Sequence, residues 1–130
     1  MHAIKKAPPS SKVKKNSVAL KAFFGITHRW ALSSKQECVL LGIPKSTLYR
    51  WKSDLDGALT IDTLERISYI LGIYKALRIL LPNEISANQW IHKPNTAPLF
   101  NGQSALDKLM KGHVVDLADV RRYLDAERGG

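Results

Sequence analysis

Basic, hydroxyl and aromatic side chains follow one another along residues 45–52, and together they have the chemistry to bind nucleic acid. Lysine and arginine pair with phosphates, and arginine, serine and threonine also hydrogen-bond to the edges of bases. The candidates for base edges are Ser46, Thr47 and Arg50, and the candidates for phosphates are Lys45, Tyr49 and Lys52. These six side chains can act together only if one short helix carries them and a second element holds that helix in place.

The segment at residues 34–51 is typical of a helix-turn-helix, which would supply that helix and its support. Two helices that cross steeply need a small side chain at the crossing and a residue tolerant of positive φ at the turn. Cys38 and Gly42 have these properties and lie four residues apart. Leu48 and Trp51 form an apolar side on the second helix, so its polar side chains are expected to face outward.

The charge of the chain is distributed unevenly, and this favours DNA as a partner. The net charge over 130 residues is +9 at pH 7; residues 1–52 hold eleven lysines or arginines against one acid, and residues 53–130 hold nine against ten. A basic half joined to a near-neutral half indicates one polyanionic partner and a second, different task. Glu37 departs from the motif, because its position is usually apolar, and it could mean a rotated first helix. A three-helix unit that does not bind DNA is the alternative.

The sequence holds no residue pattern for catalysis, a metal or a cofactor. The four histidines lack the spacing of a metal site, the single cysteine excludes an internal disulfide, and no glycine-rich phosphate loop is present. No apolar run reaches the length of about 18 residues that a membrane span needs, and no signal peptide follows the N-terminal lysines. We therefore predict a protein that is not an enzyme, has no membrane contact and resides in the cytoplasm.

Helical periodicity predicts an all-α protein of three parts. Residues 1–16 are rich in lysine, proline and serine and are expected to be a disordered basic leader. Residues 17–59 form the helix-turn-helix domain, with Ser17 as the N-cap of its first helix. Residues 60–130 form a second, small helical domain that ends in a helix over residues 114–127.

The longest apolar stretch, residues 60–81, predicts a helix with a narrow polar stripe. From residue 67 onward the only interruptions are Ser68, Gly72, Lys75 and Arg78. A helix with so little polar surface must be covered on several sides, and closed two-fold dimers are common among helix-turn-helix proteins. We therefore predict a homodimer with this helix at or near the interface. A central core helix without a role in dimerisation is the alternative.

A set of distinctive residues marks the second half of the chain. The set comprises Trp90, the Pro94-Asn95 pair, Phe100, Gly102, Ala105-Leu106-Asp107 and the run Val120-Arg121-Arg122-Tyr123-Leu124. With these markers the chain resembles the Xre/MbcA/ParS-type antitoxins over about residues 17–130, including an Xre-like helix-turn-helix. Antitoxins of this type pair with RES-domain toxins, which are enzymes that attack NAD.

The resemblance implies a repressor that binds the double-stranded operator DNA of its own operon and a dimerisation and toxin-binding domain over residues 60–130. In such families the C-terminal end of the antitoxin enters the active-site cleft of the toxin. The implied toxin-binding residues are Trp90, Arg121, Arg122, Tyr123, Asp125, Glu127, Arg128, Gly129 and Gly130. An NAD pocket presents positive groups, so the carboxylates of this end are expected to pair with them. A stand-alone regulator and an antitoxin that no longer binds DNA are the alternatives.

Overall fold

The structure is a computed structural model that describes residues 11–55 and 58–129, and helices are the regular elements within these ranges. The helices are α1 (Ser11–Arg29), α2 (Ser34–Leu41), α3 (Lys45–Ser53), α4 (Ile61–Leu80), α5 (Glu84–Gln89), α6 (Ala105–Leu109) and α7 (Val114–Glu127). A 3-10 turn over Trp90–His92 follows α5, and an isolated β-bridge joins Pro94 to Ser104. The prediction of an all-α protein is confirmed.

Helix α1 begins earlier than the sequence suggested. The predicted leader reached residue 16, whereas α1 starts at Ser11, and Ser17 therefore lies inside the helix instead of capping it. Asn16 is already buried at 5% exposure, and Leu20 and Phe23 on the following turns are fully buried. Lysine is a good helix former, so the basic run continues the helix upstream of its packed part. Residues 1–10 of the predicted leader lie outside the described residues.

Local interactions start and end the first helix of the helix-turn-helix, and Gly42 has the positive φ that the sequence predicted. The Ser33 hydroxyl accepts from the Gln36 backbone N–H, and the Gln36 side chain accepts from the Ser33 N–H, which caps α2 at its start. Gly42 ends α2 with φ at +68°, and its N–H donates to the Cys38 carbonyl oxygen at 2.8 Å. Helix α3 starts directly after Pro44.

The helix-turn-helix is docked on α4 through Arg66. Its guanidinium donates to the carbonyl oxygens of Val39 and Leu40 at 3.3 and 3.4 Å, and it also binds Asp62 on its own helix at 2.9 Å. The last carbonyls of a helix have no partner within the helix, so Arg66 satisfies the Leu40 carbonyl and adds a second donor to the Val39 carbonyl, which also accepts from the Gly42 N–H at 3.3 Å.

Helix α4 is the centre of the core, in contact with α1, α2, α5 and α7. Ile67, Ile70 and Ile73 on this helix are at most 1% exposed. Other helices of the same chain thus cover much of the apolar surface of α4. The apolar sequence of α4 is therefore not by itself evidence for a homodimer. Apolar surface does remain at its two ends, where Ile61 is 87% and Ile79 52% exposed.

Candidate nucleic-acid and protein interfaces

Helix α3 has one inward and one outward side. Leu48 and Trp51 are buried at 0% and 4% exposure and fix the inward side. Five of the six predicted DNA-binding residues are exposed, and four of them share the outward side: Lys45, Ser46, Tyr49 and Arg50. The outward side therefore combines two cations, a hydroxyl and an aromatic ring on one short surface.

The two remaining predicted residues of α3 lie at the borders of that surface. Thr47 precedes Trp51 by four residues and is half-buried, because residues four apart share one side of a helix. Lys52 follows Leu48 by four residues and turns toward the body of the domain. Its Nζ lies 2.6 Å from Oε1 of Glu37 and 5.5 Å from the ring centre of Phe24.

The Glu37 carboxylate joins three helices of the domain. It is 5% exposed, its Oε1 pairs with Lys52 on α3, and its Oε2 accepts from the Thr27 hydroxyl on α1 at 2.5 Å. A buried carboxylate is stable only when it is paired and hydrogen-bonded. The departure of Glu37 from the usual apolar residue thus creates a polar tie that connects the recognition helix to the rest of the unit. The sequence contained both charges but no signal that they meet.

The outward cations of α3 are not neutralised by neighbouring acids. Lys45 and Arg50 take part in no ion pair with any described residue, and the Lys45 Nζ lies 5.9 Å from the ring centre of Tyr49. Free cations on an exposed helix surface are available to phosphates and base edges.

The second candidate surface is built around three aromatic rings. Trp90 and Tyr123 stack with ring centres 6.4 Å apart and planes at 22°, and Phe100 meets Tyr123 edge-on at 5.1 Å. The structure thereby brings together Trp90, from the turn after α5, and Tyr123, from α7, which are 33 residues apart in sequence. Phe100 is 3% exposed and packs edge-on against both the Trp90 and the Tyr123 ring.

The loop that carries Phe100 is held by the polar markers of the sequence. The Asn95 side-chain oxygen accepts from the Ala97 N–H at 2.9 Å, and Gly102 has a φ of +84° that favours glycine. The Ser104 hydroxyl accepts from the Asp107 N–H while the Asp107 carboxylate accepts from the Ser104 N–H, which starts α6. These markers therefore shape the loop rather than contact a partner directly.

An apolar cleft of about 230 Å³ opens beside the stacked rings. It lies between the end of α4 and the last turns of α7. The lining residues are Leu77, Leu80, Leu81, Trp90, Tyr123, Leu124 and Glu127. Most of these side chains are half-buried, so they keep apolar surface in contact with water.

The arginines of α7, and Arg128 directly after it, form ion pairs within the chain. Arg121 lies 3.6 Å from Asp125, Arg122 lies 3.6 Å from Asp119, and Arg128 lies 3.4 Å from Asp125. Arg121 also packs against α4 and donates to the Ser68 carbonyl oxygen at 3.4 Å. The contact is close at Gly72, because a Cβ added there would lie 2.5 Å from the Arg121 guanidinium. Arg121 is thus part of the α4–α7 packing.

The end of α7 is exposed. Glu127 is the last helical residue, Arg128 and Gly129 follow as a turn, and all three are exposed. Glu127, unlike Asp125, forms no ion pair within the described part of the chain. Gly130 lies outside the described residues.

A partly buried ionic cluster, which the sequence did not indicate, joins α6 to the start of α7. The Lys108 Nζ lies 2.9 Å from Asp116 and 3.3 Å from Asp119. Burial acts to raise the pKa of Asp116, but the hydrogen bond and charge of Lys108, aided by His113, hold that pKa below its usual value. Burial likewise acts to lower the pKa of Lys108, and the two carboxylates outweigh it and raise that pKa.

Neither a metal site nor a membrane span is found among the residues that the structure describes. No group of three or more His, Cys, Asp or Glu side chains in these ranges could hold a metal ion. None of the described helices is long and apolar enough to cross a membrane.

The chain combines a helix-turn-helix that has free outward cations with a second helical domain that has a partly exposed aromatic and apolar surface. These two features define a DNA-binding regulator with a protein-binding module. Residues 12–72 match the antitoxin Xre-like helix-turn-helix domain, and residues 76–130 match the antitoxin Xre/MbcA/ParS C-terminal toxin-binding domain. The chain is also 48% identical over 128 residues to the Uncharacterized protein y4oB of Sinorhizobium fredii (strain NBRC 101917 / NGR234), covering 98% of this chain and 97% of that protein. The chain belongs to the Xre/MbcA/ParS family of antitoxins.

Membership in this family defines the protein as a DNA-binding antitoxin with a toxin-binding domain. Both matched families consist of regulatory domains without enzyme activity, as predicted. The two matches meet between residues 72 and 76, inside the continuous helix α4. The division predicted between residues 59 and 60 stays a prediction.

Proposed function

We propose that this antitoxin neutralises a RES-domain toxin, an enzyme that degrades NAD, and represses its own operon by binding operator DNA. One observation carries the proposal: a helix-turn-helix with unpaired outward cations shares a chain with a domain matched to toxin-binding antitoxin modules. Both tasks place the protein in the cytoplasm, where the operon and the NAD pool are found.

For operator recognition we assign Ser46 and Arg50 to base edges and Lys45 and Tyr49 to phosphates. Their common exposure on α3 supports this assignment. Thr47 is assigned to a base edge at the border of the surface. Lys52 is assigned a smaller part in phosphate binding than its charge suggests, because its ammonium group is paired with Glu37.

For toxin inhibition we assign the end of α7 to the active-site cleft of the toxin. The exposed and slim end formed by Arg128 and Gly129 supports this assignment. Asp125 and Gly130 would meet the positive groups that bind the NAD pyrophosphate, whereas Glu127, which lines the cleft between α7 and the end of α4, would contact the toxin beside its active site. Trp90, Arg122 and Tyr123 would contact the surface around the cleft, since aromatic residues and arginine are favoured at interface centres. Arg121 would act there mainly through its packing on α4.

The test is co-expression of this chain with the product of the adjacent gene, followed by measurement of cellular NAD. The full chain should form a complex and maintain NAD, and a chain without residues 128–130 should not maintain it. If the full chain forms no complex and NAD falls, the RES partner is wrong and the regulatory function alone remains. If the truncated chain still protects NAD, the assignment of the end of α7 is wrong.

We also propose a homodimer formed along α1 and α4. Val18 and Ile61 are 61% and 87% exposed, and a cleft of about 370 Å³ between these helices is lined by Ala19, Leu64 and Leu71 among others. Exposed apolar surface of this kind is often covered by a partner. A native mass measurement at micromolar concentration tests the proposal, and a monomer there would contradict it.

A further inference from the structure

The apolar cleft beside Trp90 and Tyr123 has the features of a binding site for one kind of side chain of a partner protein. Every residue that lines it falls within residues 76–130, the part matched to the toxin-binding domain. The cleft therefore belongs to the module that contacts a toxin, and it lies against the last turns of α7, beside the end of the chain. Its walls come from α4, Trp90 and α7, so it offers a point of contact in addition to residues 128–130.

The walls of the cleft are apolar. Leu80, Leu81 and Tyr123 are half-buried, so each keeps part of its apolar surface in water although neighbouring residues of the core are fully covered. Removing apolar surface from water stabilises a complex in proportion to the area that is buried. A partner side chain with a long aliphatic stem would obtain this stabilisation by lying along the leucines.

The rim of the cleft is acidic. Glu127 is the only charged residue among those lining it, and its carboxylate has no ionic partner in the described part of the chain. Asp125, two residues earlier, already holds Arg121 and Arg128. A cation that arrives from outside therefore finds its free acceptor at Glu127.

We propose that the cleft receives an arginine side chain of the toxin, with its aliphatic stem on Leu80 and Leu81 and its guanidinium on Glu127; this inference rests on the proposed function. Arginine fits better than lysine, because its planar guanidinium stacks on aromatic rings and binds a carboxylate through two parallel hydrogen bonds. Tyr123 provides the ring beside the carboxylate. The arginine would hold the toxin on the flank of α7 while the end of the helix enters the active site.

The test measures toxin affinity by calorimetry, with the purified RES-domain protein as the probe and the full antitoxin chain in each variant. Glu127→Gln removes the charge at an exposed position and should weaken binding by roughly 10- to 100-fold, as for other hydrogen bonds to charged groups. Leu81→Ser should weaken it through the wall of the cleft. The matched controls are Glu84→Gln and Ile79→Ser, exposed positions of the same domain outside the cleft, which should bind as the wild type does.

A second measurement identifies the partner residue. Each surface arginine of the toxin is changed to Gln and combined with Glu127→Gln in a double-mutant cycle. For one arginine, substitution should no longer weaken binding when Glu127→Gln is already present, because the effects of substitutions at two residues in contact do not add. Absence of coupling with any arginine would overturn the proposal.

The other outcomes are equally distinct. If Leu81→Ser weakens toxin binding and Glu127→Gln does not, the cleft binds an apolar side chain, and the proposal of an arginine is overturned. Wild-type affinity in both variants would remove the cleft from the interface. If the wild-type chain itself binds no RES-domain protein, the proposed function fails, and the proposal of an arginine with it. The exposed site of Glu127 leaves the core untouched, so unfolding does not obscure its result.

Discussion

Helices α3 and α7 both carry several charged side chains, but they use them differently. The outward cations Lys45 and Arg50 of α3 have no acidic partner within the described ranges, whereas the two arginines of α7 and the Arg128 that follows it each lie within 3.6 Å of an aspartate. Unpaired cations attract phosphates over a distance and make binding depend strongly on salt. Charges that are already paired contribute little to long-range attraction, so the α7 surface depends on its aromatic rings, its cleft and a few specific carboxylates.

This difference predicts that the two binding activities can be separated by mutation. The largest effect is expected for deletion of residues 128–130, which should abolish protection of NAD and leave operator affinity unchanged. The physical reason is that Arg128 and Gly129 follow the last turn of α7, where their hydrogen bonds and ion pair are made to residues 124–126 of the same helix. Co-expression and NAD measurement check the first result, and a DNA-binding titration checks the second. Loss of DNA binding on truncation would show that the two regions are not independent.

Arg50→Ala should weaken operator binding by about 1–3 kcal/mol and relax specificity at one base pair, since a bidentate arginine contact contributes about that much discrimination. Toxin affinity should not change. Titration of the upstream DNA of the operon, with unrelated DNA as reference, measures the effect. Arg122→Ala is the matched control, because Arg122 is 73% exposed and lies on α7. Equal losses in the two variants would contradict the assignment of DNA binding to α3.

The ionic cluster under α7 predicts a pH dependence confined to the C-terminal domain. The folded state holds the pKa of Asp116 below its unfolded value of 3.8, so this stabilisation is present above pH 3.8 and is lost as the pH falls toward the lowered pKa. Lys108 has a raised pKa, and its contribution is complete below pH 10.5 and is lost as the pH rises through the raised value. Asp116→Asn should therefore cost about 1.5 kcal/mol of unfolding free energy at pH 7 and remove part of the acid dependence.

Urea unfolding of the wild type and Asp116→Asn at pH 7 and pH 3 measures the loss of unfolding free energy and the change in its acid dependence. Glu84→Gln, an exposed acid without an ion pair in the described structure, is the control. An unchanged difference between the two pH values in Asp116→Asn would mean that the cluster does not contribute to acid stability.

The smallest effect concerns the salt dependence of DNA binding and compares two lysines of the same helix. Lys45→Ala should lower the slope of log affinity against log salt by about 0.9, the value for one lost phosphate contact. Lys52→Met should leave the slope nearly unchanged, because its ammonium group is held by Glu37, and should instead lower the unfolding free energy. Titrations at several salt concentrations distinguish the two. A full reduction of the slope in Lys52→Met would return Lys52 to the phosphate contacts.

The helix-turn-helix could be predicted from sequence because its determinants are local. The Ser33 cap, the left-handed Gly42 and the apolar pair Leu48 and Trp51 all act within a few residues of where they stand. The start of α1 could not be predicted, because lysine-rich sequence fits a helix or a disordered segment equally well and packing further along the helix decides between them. The single-chain cover of α4 was missed for a related reason, since it comes from helices far away in sequence.

The sequence by itself determined the helical class, the turn chemistry, the uneven charge and the aromatic and polar markers of the toxin-binding domain. Only the tertiary structure decided which charges are free. Lys52 and Lys45 are chemically identical and seven residues apart, yet one is paired with a buried carboxylate of α2 and the other is open to solvent. Trp90 and Tyr123 likewise become one surface only when the turn after α5 packs against α7. The reason is that electrostatic and stacking energies depend on distances of a few ångströms, and packing sets these distances between residues that the chain order keeps apart.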